Sequence, residues 1–332
     1  MKGRYRKISI VIILFIILGI ILTTICSAAD LSLKEKQDNL IIVDKNGGGE
    51  YTSIQEAINK EPDGTTIYIK NGIYNEIINI KKKINLIGEN KEYTIIHSIS
   101  EQNKYSICIG APEIVIKKLS IKNSGPGLYT CGIKIIASKI QILDCNIYET
   151  PVGIAIFTSN NIIDNCEFYG CTDEGLVLLG TSYSECKNNK ITNCKFYNNC
   201  DGIELQYSTD NIITNCEFYN NTHTGIDAIV SSNDRNIISS CNIYNNNVHG
   251  VYLSSSSYNK IIYCDILNNE DGNIVMNKDS QNNEIISKSY PNLENKKENN
   301  LKGALYFLLS KGFFNPIIKK FSLLKNKIIN VF

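Results

Sequence analysis

One short signature recurs six times and limits what this chain can fold into. A Cys is followed by a polar residue, then Phe or Ile, then Tyr or, once, Leu. It runs Cys145-Asn146-Ile147-Tyr148, Cys166-Glu167-Phe168-Tyr169 and Cys194-Lys195-Phe196-Tyr197. It continues as Cys216-Glu217-Phe218-Tyr219, Cys241-Asn242-Ile243-Tyr244 and Cys264-Asp265-Ile266-Leu267. An Asn/Asp-rich turn follows each signature, and then a Gly opens an apolar stretch: Gly153, Gly175, Gly202, Gly225, Gly250 and Gly272. A repeat of roughly 21–28 residues means a solenoid, in which each unit buries its apolar face only against its neighbours.

The periodicity inside each unit selects the kind of solenoid. After each Gly, apolar residues fall on alternate positions: Ile154 and Ile156, Leu176 and Leu178, Ile203 and Leu205, Val251 and Leu253. A period of two is a strand with one buried face. Asn, Asp, Ser and Gly between the strands supply turns. The units contain no helical spacing, which excludes leucine-rich and helical repeats. Three short strands per unit, coiled in one sense, stack equivalent residues about 4.8 Å apart.

On these residues, positions 40–290 resemble the right-handed parallel β-helix of the pectin-lyase-like superfamily. The Asn-rich coils are similar to the NosD-like, carbohydrate-binding and sugar-hydrolase type of repeat. The resemblance implies an all-β, single-stranded right-handed parallel β-helix with a short N-terminal capping helix and a C-terminal helical tail. That fold hosts lyases, esterases, hydrolases and adhesins, so activity has to be argued from a site.

Two flanking segments complete the organisation. Residues 1–29 carry a basic start (Lys2, Arg4, Arg6, Lys7), an apolar run over 8–25, and small residues Ser27, Ala28 and Ala29. They read as a signal peptide cleaved after Ala29 or as an N-terminal membrane anchor, and either version exports the rest. Residues 291–332 read as a linker and a basic amphipathic tail, with Ile317, Phe321, Leu324 and Ile328 on one helical face. The tail suits a membrane surface or a cap on the solenoid end. In the stretch IIVDKNGGGEYTSIQEAI, Ser53 caps a short helix and Glu56 closes a capping box, while Ile54, Ala57 and Ile58 cover the first coil. A net charge of +1 and no basic-aromatic groove exclude nucleic acid as a partner.

Twelve cysteines in an exported chain invite disulfides. The column Cys145, Cys166, Cys194, Cys216, Cys241 and Cys264 reads instead as inward thiols packed as small hydrophobes. Cys171 and Cys200, just after the column in adjacent coils, are the best-placed disulfide pair. With no CxxC and no His at suitable spacing, the column is not a metal site.

Candidate chemistry lies on the outward side of the post-Gly strands. Glu204 and Asp227 fall on neighbouring coils as stacked carboxylates, where like charge raises one pKa. They are the candidate catalytic residues, as an acid/base pair or as oxygen ligands for Ca²⁺, the one cofactor the pattern allows. A turn column of Glu174, Asp201, His223, His249 and Asp271 precedes the strands. Tyr252, His223, His249, Gln206, Phe157 and Asp201 are the candidate ligand-binding residues, beside an apolar strip of Phe157, Val177 and Leu179. The plain alternative is a solvated polar face. Residues 124–129 form a loop that could overhang a groove, and the insert 181–190 is the one loop long enough to wall a cleft.

The enzyme signatures of the superfamily are missing. No pectate-lyase arginine, no polygalacturonase carboxylate set and no pectinesterase core is evident; Arg235 is the only Arg after residue 6. The expected role is therefore an exported cell-surface β-helix that binds polysaccharide or envelope glycan, in the manner of an adhesin. The alternatives are a hydrolase or lyase acting on acidic polysaccharide, and a NosD-like copper-related accessory protein. Three His and a single internal Met count against copper.

Overall fold

The computed structural model describes residues 40–230 and 232–286. The leader or anchor, Cys26 and the basic tail lie outside them. Among the described residues no helix is long and apolar enough to cross a membrane.

The chain coils into three long sheets of 11, 9 and 9 strands. The first sheet runs from Leu40–Val43 to Glu284–Ile286. The second contains the strands that follow each signature Cys, such as Lys195–Tyr197, and the third contains the post-Gly strands, such as Asp201–Gln206. Successive coils pair in parallel and in register: Phe168 with Phe196 and then Phe218, Ile203 with Ile226 and then Val251. The expected right-handed parallel β-helix is the fold.

Register turns each sequence position into a physical column. Ile116, Ile142, Ile163, Ile191 and Ile213 follow one another along the first sheet and are all fully buried. The signature Cys column is buried too, and its thiols donate to carbonyls of the preceding residues, as Cys166 does to Asp164 O at 3.3 Å. Burial pushes the thiols of Cys145 and Cys166 well above their ordinary range, so they behave as packing groups. Cys171 and Cys200 are free thiols, not a disulfide. Their coils meet through a backbone bond from Cys200 N–H to Cys171 O (3.1 Å), and parallel in-register side chains point the same way.

The corner before each Cys is one residue in the left-handed region: Asp144, Asn165, Asn193, Asn215, Ser240 and Tyr263, all with φ between 51° and 55°. Asn and Asp tolerate that conformation better than most residues, which is why they dominate there. Two buried asparagine ladders also run through the stack. Asn161, Asn189, Asn211 and Asn236 are joined side chain to side chain at 2.9–3.1 Å, and Asn221, Asn246 and Asn269 at 2.8 Å. Each amide also accepts a backbone N–H of the preceding coil, as Asn211 Oδ1 does from Asn189, so the turn backbone stays satisfied inside the core.

Helix α1 (Ile54–Lys60) buries Ile54, Ala57 and Ile58 over the first coil. Ser53 Oγ accepts the Glu56 N–H (3.2 Å), which is half of the expected capping box. The other half differs. Glu56 pairs with Lys60, and Glu76 from the coil below accepts the N–H groups of Ile54 and Gln55. A carboxylate from another coil reaches the helix start and docks the cap as well as closing it.

Candidate functional site

Among the described residues, buried carboxylates gather in one place. Among the described residues the buried carboxylates are Asp173, Glu174, Asp201, Glu204 and Asp227, and all five lie on or beside the third sheet over three consecutive coils. The structure confirms that Glu204 and Asp227 are register neighbours. It corrects the solvated-face alternative, because they are only 2% and 4% exposed. They alternate with the inward Ile203, Leu205, Ile226 and Ala228, yet are buried themselves. Gln206 Nε2 donates to Glu204 Oε1 and fixes that carboxylate.

The turn column is only partly as expected. Glu174 pairs with Asp201, and His249 pairs with Gly272 rather than Asp271. Between them the regular strand is shortened. The neighbouring strands begin at Asp201 and His249, but the one between them begins only at Ile226. The stretch 223–225 lies outside the regular strand yet stays hydrogen-bonded to both neighbouring coils. Thr224 O and Gly225 O accept from the N–H groups of Gly202 and Ile203 (both 3.0 Å), and Gly225 N–H donates to His249 O (2.9 Å). Such a local irregularity re-aims side chains. His223 Nδ1 turns toward two carboxylates, donating to Asp201 Oδ1 at 2.7 Å with Asp227 Oδ2 at 3.9 Å. Asp201 Oδ1 also accepts the Thr224 N–H at 2.8 Å.

The two histidines are driven apart. Burial opposes charge on His223, but Asp201, Asp227 and Asp173 together outweigh it and raise its pKa to about 9. Burial, helped by the charge on His223, lowers His249 to about 4. Its ring stacks on Tyr252, with centroids 5.2 Å apart. Near neutrality the pair is thus one imidazolium and one neutral imidazole.

Stability should follow with opposite signs. The raised His223 stabilises fully below pH 6.5, and that contribution is lost as pH climbs toward 9. The depressed His249 costs nothing above pH 6.5, and stability falls as pH drops from there toward 4. Each limb is on the order of 2 kcal/mol. Urea unfolding of wild type from pH 4 to 9 should peak near pH 6.5. His223→Gln should flatten the alkaline limb alone, and an unchanged alkaline limb would refute the assignment.

Toward the N-terminal end of the same sheet lies a cavity of about 450 Å³. Val152, Ala155 and Val177 form its apolar floor, with Phe157, Tyr105 and Tyr129 around it. Lys104 and Lys134 line it along with Asp173, Glu174 and Gln206. One wall is the loop pair 99–104 and 124–130, braced by Asn103 N–H to Pro126 O (3.2 Å) and Tyr129 N–H to Asn103 Oδ1 (3.2 Å). The overhang expected of 124–129 is therefore present. The insert 181–190 does not line the cavity; its Cys186–Lys187 strand pairs with Ser208–Thr209, and Tyr183 is fully exposed. Of the eight candidate residues, Phe157 and Gln206 line the cavity. The other six sit together at the C-terminal side of the same sheet. Tyr105, Tyr129 and Lys134 line the cavity but were not among the candidates; only the alternation of the strand at 131–135 marked Lys134 as outward.

The chain matches the right handed beta helix region over residues 83–199 and 183–320. It belongs to the right-handed β-helix family. This β-helix is also similar to a probable pectinesterase of Arabidopsis thaliana, 25% identical over 166 residues, which is 45% of the chain and 57% of that protein. It therefore spans little more than half the length of that relative. Among solved structures it is similar to the A-module of the mannuronan C-5 epimerase of Azotobacter vinelandii. That match has 15% identity and a TM-score of 0.53, covering 74% of this chain and 94% of that one. A pectate lyase matches at 14% identity and a TM-score of 0.50, with 80% and 84% covered. At these identities the structural matches speak for the fold.

Proposed function

We propose that this β-helix is exported by residues 1–29 and binds a segment of acidic polysaccharide across the outward face of its third sheet. The walled cavity carries the reading. Its apolar floor and aromatic rim suit the C–H faces of sugar rings, and its amide and carboxylates suit hydroxyls. Lys104 and Lys134 suit a uronate carboxylate, and Lys134 Nζ lies 5.1 Å from the Phe157 ring centre. The braced wall means little ordering is needed on binding. Relatives and neighbours bear names of polysaccharide-modifying enzymes, which favours the same ligand class.

A second reading, turnover of the bound chain by a hydrolase or lyase, has its own support. Two histidines with separated pKa values, set among carboxylates on the same sheet as the cavity, suit acid–base chemistry. Glu204 and Asp227 support it less than their spacing promised, because both are covered. His223, about a quarter exposed at its side chain, is the better contact.

A glycan-array screen of the chain, followed by a reducing-end assay on each hit, tests both readings. Hits are expected among uronate-containing glycans. Phe157→Ala should weaken them about tenfold, which is about 1.4 kcal/mol. Absence of any hit overturns the proposal. Binding without product keeps the first reading and removes the second. Product formation abolished by His223→Gln makes the protein an enzyme.

A further inference from the structure

The irregular turn at 223–225 brings three metal-type donors together. Asp201 and Asp227 stand on adjacent coils, both with side chains 5% exposed, and His223 Nδ1 sits between their oxygens at 2.7 and 3.9 Å. The three donor atoms lie within 4.8 Å of one another. The Thr224 N–H holds Asp201 in place, which is what a supporting hydrogen bond does for a ligating carboxylate. His223 is partly exposed, so one side of the group opens to solvent. Glu204, in register with Asp227, and Asp173 and Glu174 one coil away surround it with further buried carboxylates. Buried carboxylates in such number are held by hydrogen bonds, by counter-charges or by a metal ion.

We propose that Asp201, His223 and Asp227 form a site for one first-row divalent cation of the Mn²⁺, Fe²⁺ or Zn²⁺ type. The donor set selects this class. Ca²⁺ takes six to eight oxygens, whereas an imidazole with two carboxylates suits first-row ions and leaves positions for water or ligand. Ligand bonds of about 2.0–2.2 Å place adjacent donors about 3 Å apart. The observed 2.7 and 3.9 Å bracket that value, so a small rotation of Asp227 completes the site. On binding, the Nδ1 proton is released to solvent and the nitrogen lone pair goes to the metal. The buried cysteine column takes no part. The site stands whether or not the cavity binds glycan.

Mn²⁺ is the probe, because as a hard ion it avoids thiols. Titration of the full chain followed by electron paramagnetic resonance should show about one bound Mn²⁺ per chain, displaced by Zn²⁺ and not by equimolar Ca²⁺. The wild-type spin-echo spectrum should carry ¹⁴N modulation from one imidazole, a readout that needs no variant to fold. His223→Gln and Asp227→Asn should each weaken binding at least tenfold, while the distant surface change Glu113→Gln leaves it intact. No stoichiometric binding, a spectrum lacking nitrogen modulation, or undiminished binding in His223→Gln would each overturn the site.

Discussion

Phe196→Ala should destabilise this β-helix by about 3–5 kcal/mol, read as a lower urea midpoint. Phe196 is fully buried, with its ring stacked between Phe168 at 4.6 Å and Phe218 at 4.8 Å, centre to centre, and nearly parallel to both. Removing the ring opens a cavity that the coils cannot close, because their spacing is held by strand hydrogen bonds above and below. It also deletes two ring contacts, each worth about 0.5–1.5 kcal/mol beyond burial. The same column holds Ile147 and Ile243, so Phe196→Ile should cost much less. In a solenoid each coil touches only its neighbours. A weakened middle coil should therefore also broaden the transition by letting the two halves melt separately. A sharp, unshifted transition would show that the stack does not carry the stability assigned to it.

Gly202→Ala should cost about 3 kcal/mol, although a helix or a loop would welcome it. A Cβ at Gly202 would lie 2.4 Å from the Gly225 carbonyl oxygen and 2.7 Å from the Phe218 ring. Gly153 and Gly175 meet the next coil in the same way, at 2.1 and 2.8 Å from the following Gly oxygen. The post-Gly corner thus lacks space, and the backbone of the next coil cannot withdraw without breaking the ladder. Gly110→Ala is the matched control. Its nearest neighbour would be 3.7 Å away, so a change below about 0.5 kcal/mol is expected. Thermal melts of both variants decide the point, and equal effects would remove the close-approach explanation.

Much of the fold was legible because a solenoid converts sequence period directly into spatial columns. The six Cys and the inward Phe and Ile each became one buried column, and the post-Gly alternation became two. The asparagine ladders went unread as ladders, although Asn recurs before the Ile of successive first-sheet strands at Asn161, Asn211 and Asn236. In a sequence rich in Asn, ladder positions do not stand out from turn positions. The capping box was half legible: Ser53 is local, whereas Glu76 arrives from another coil.

The candidate site divides along the same line. Stacking of Glu204 on Asp227 follows from counting residues after a Gly. Their burial does not, because it depends on side chains that close around them, such as Gln206 on Glu204 and His223 beside Asp227. Nor does the position of His223, since an irregular turn is invisible in a repeat whose length already varies between units. The cavity wall needed the loops 99–104 and 124–130 to meet, a contact about 25 residues apart with no periodic signal. By itself the sequence determined the coil, its columns and which face each side chain takes, since these follow from local geometry repeated in register. The tertiary structure alone decided which outward side chains are covered, which donors converge on His223 and where a ligand fits, because those depend on the few places where the repeat is broken.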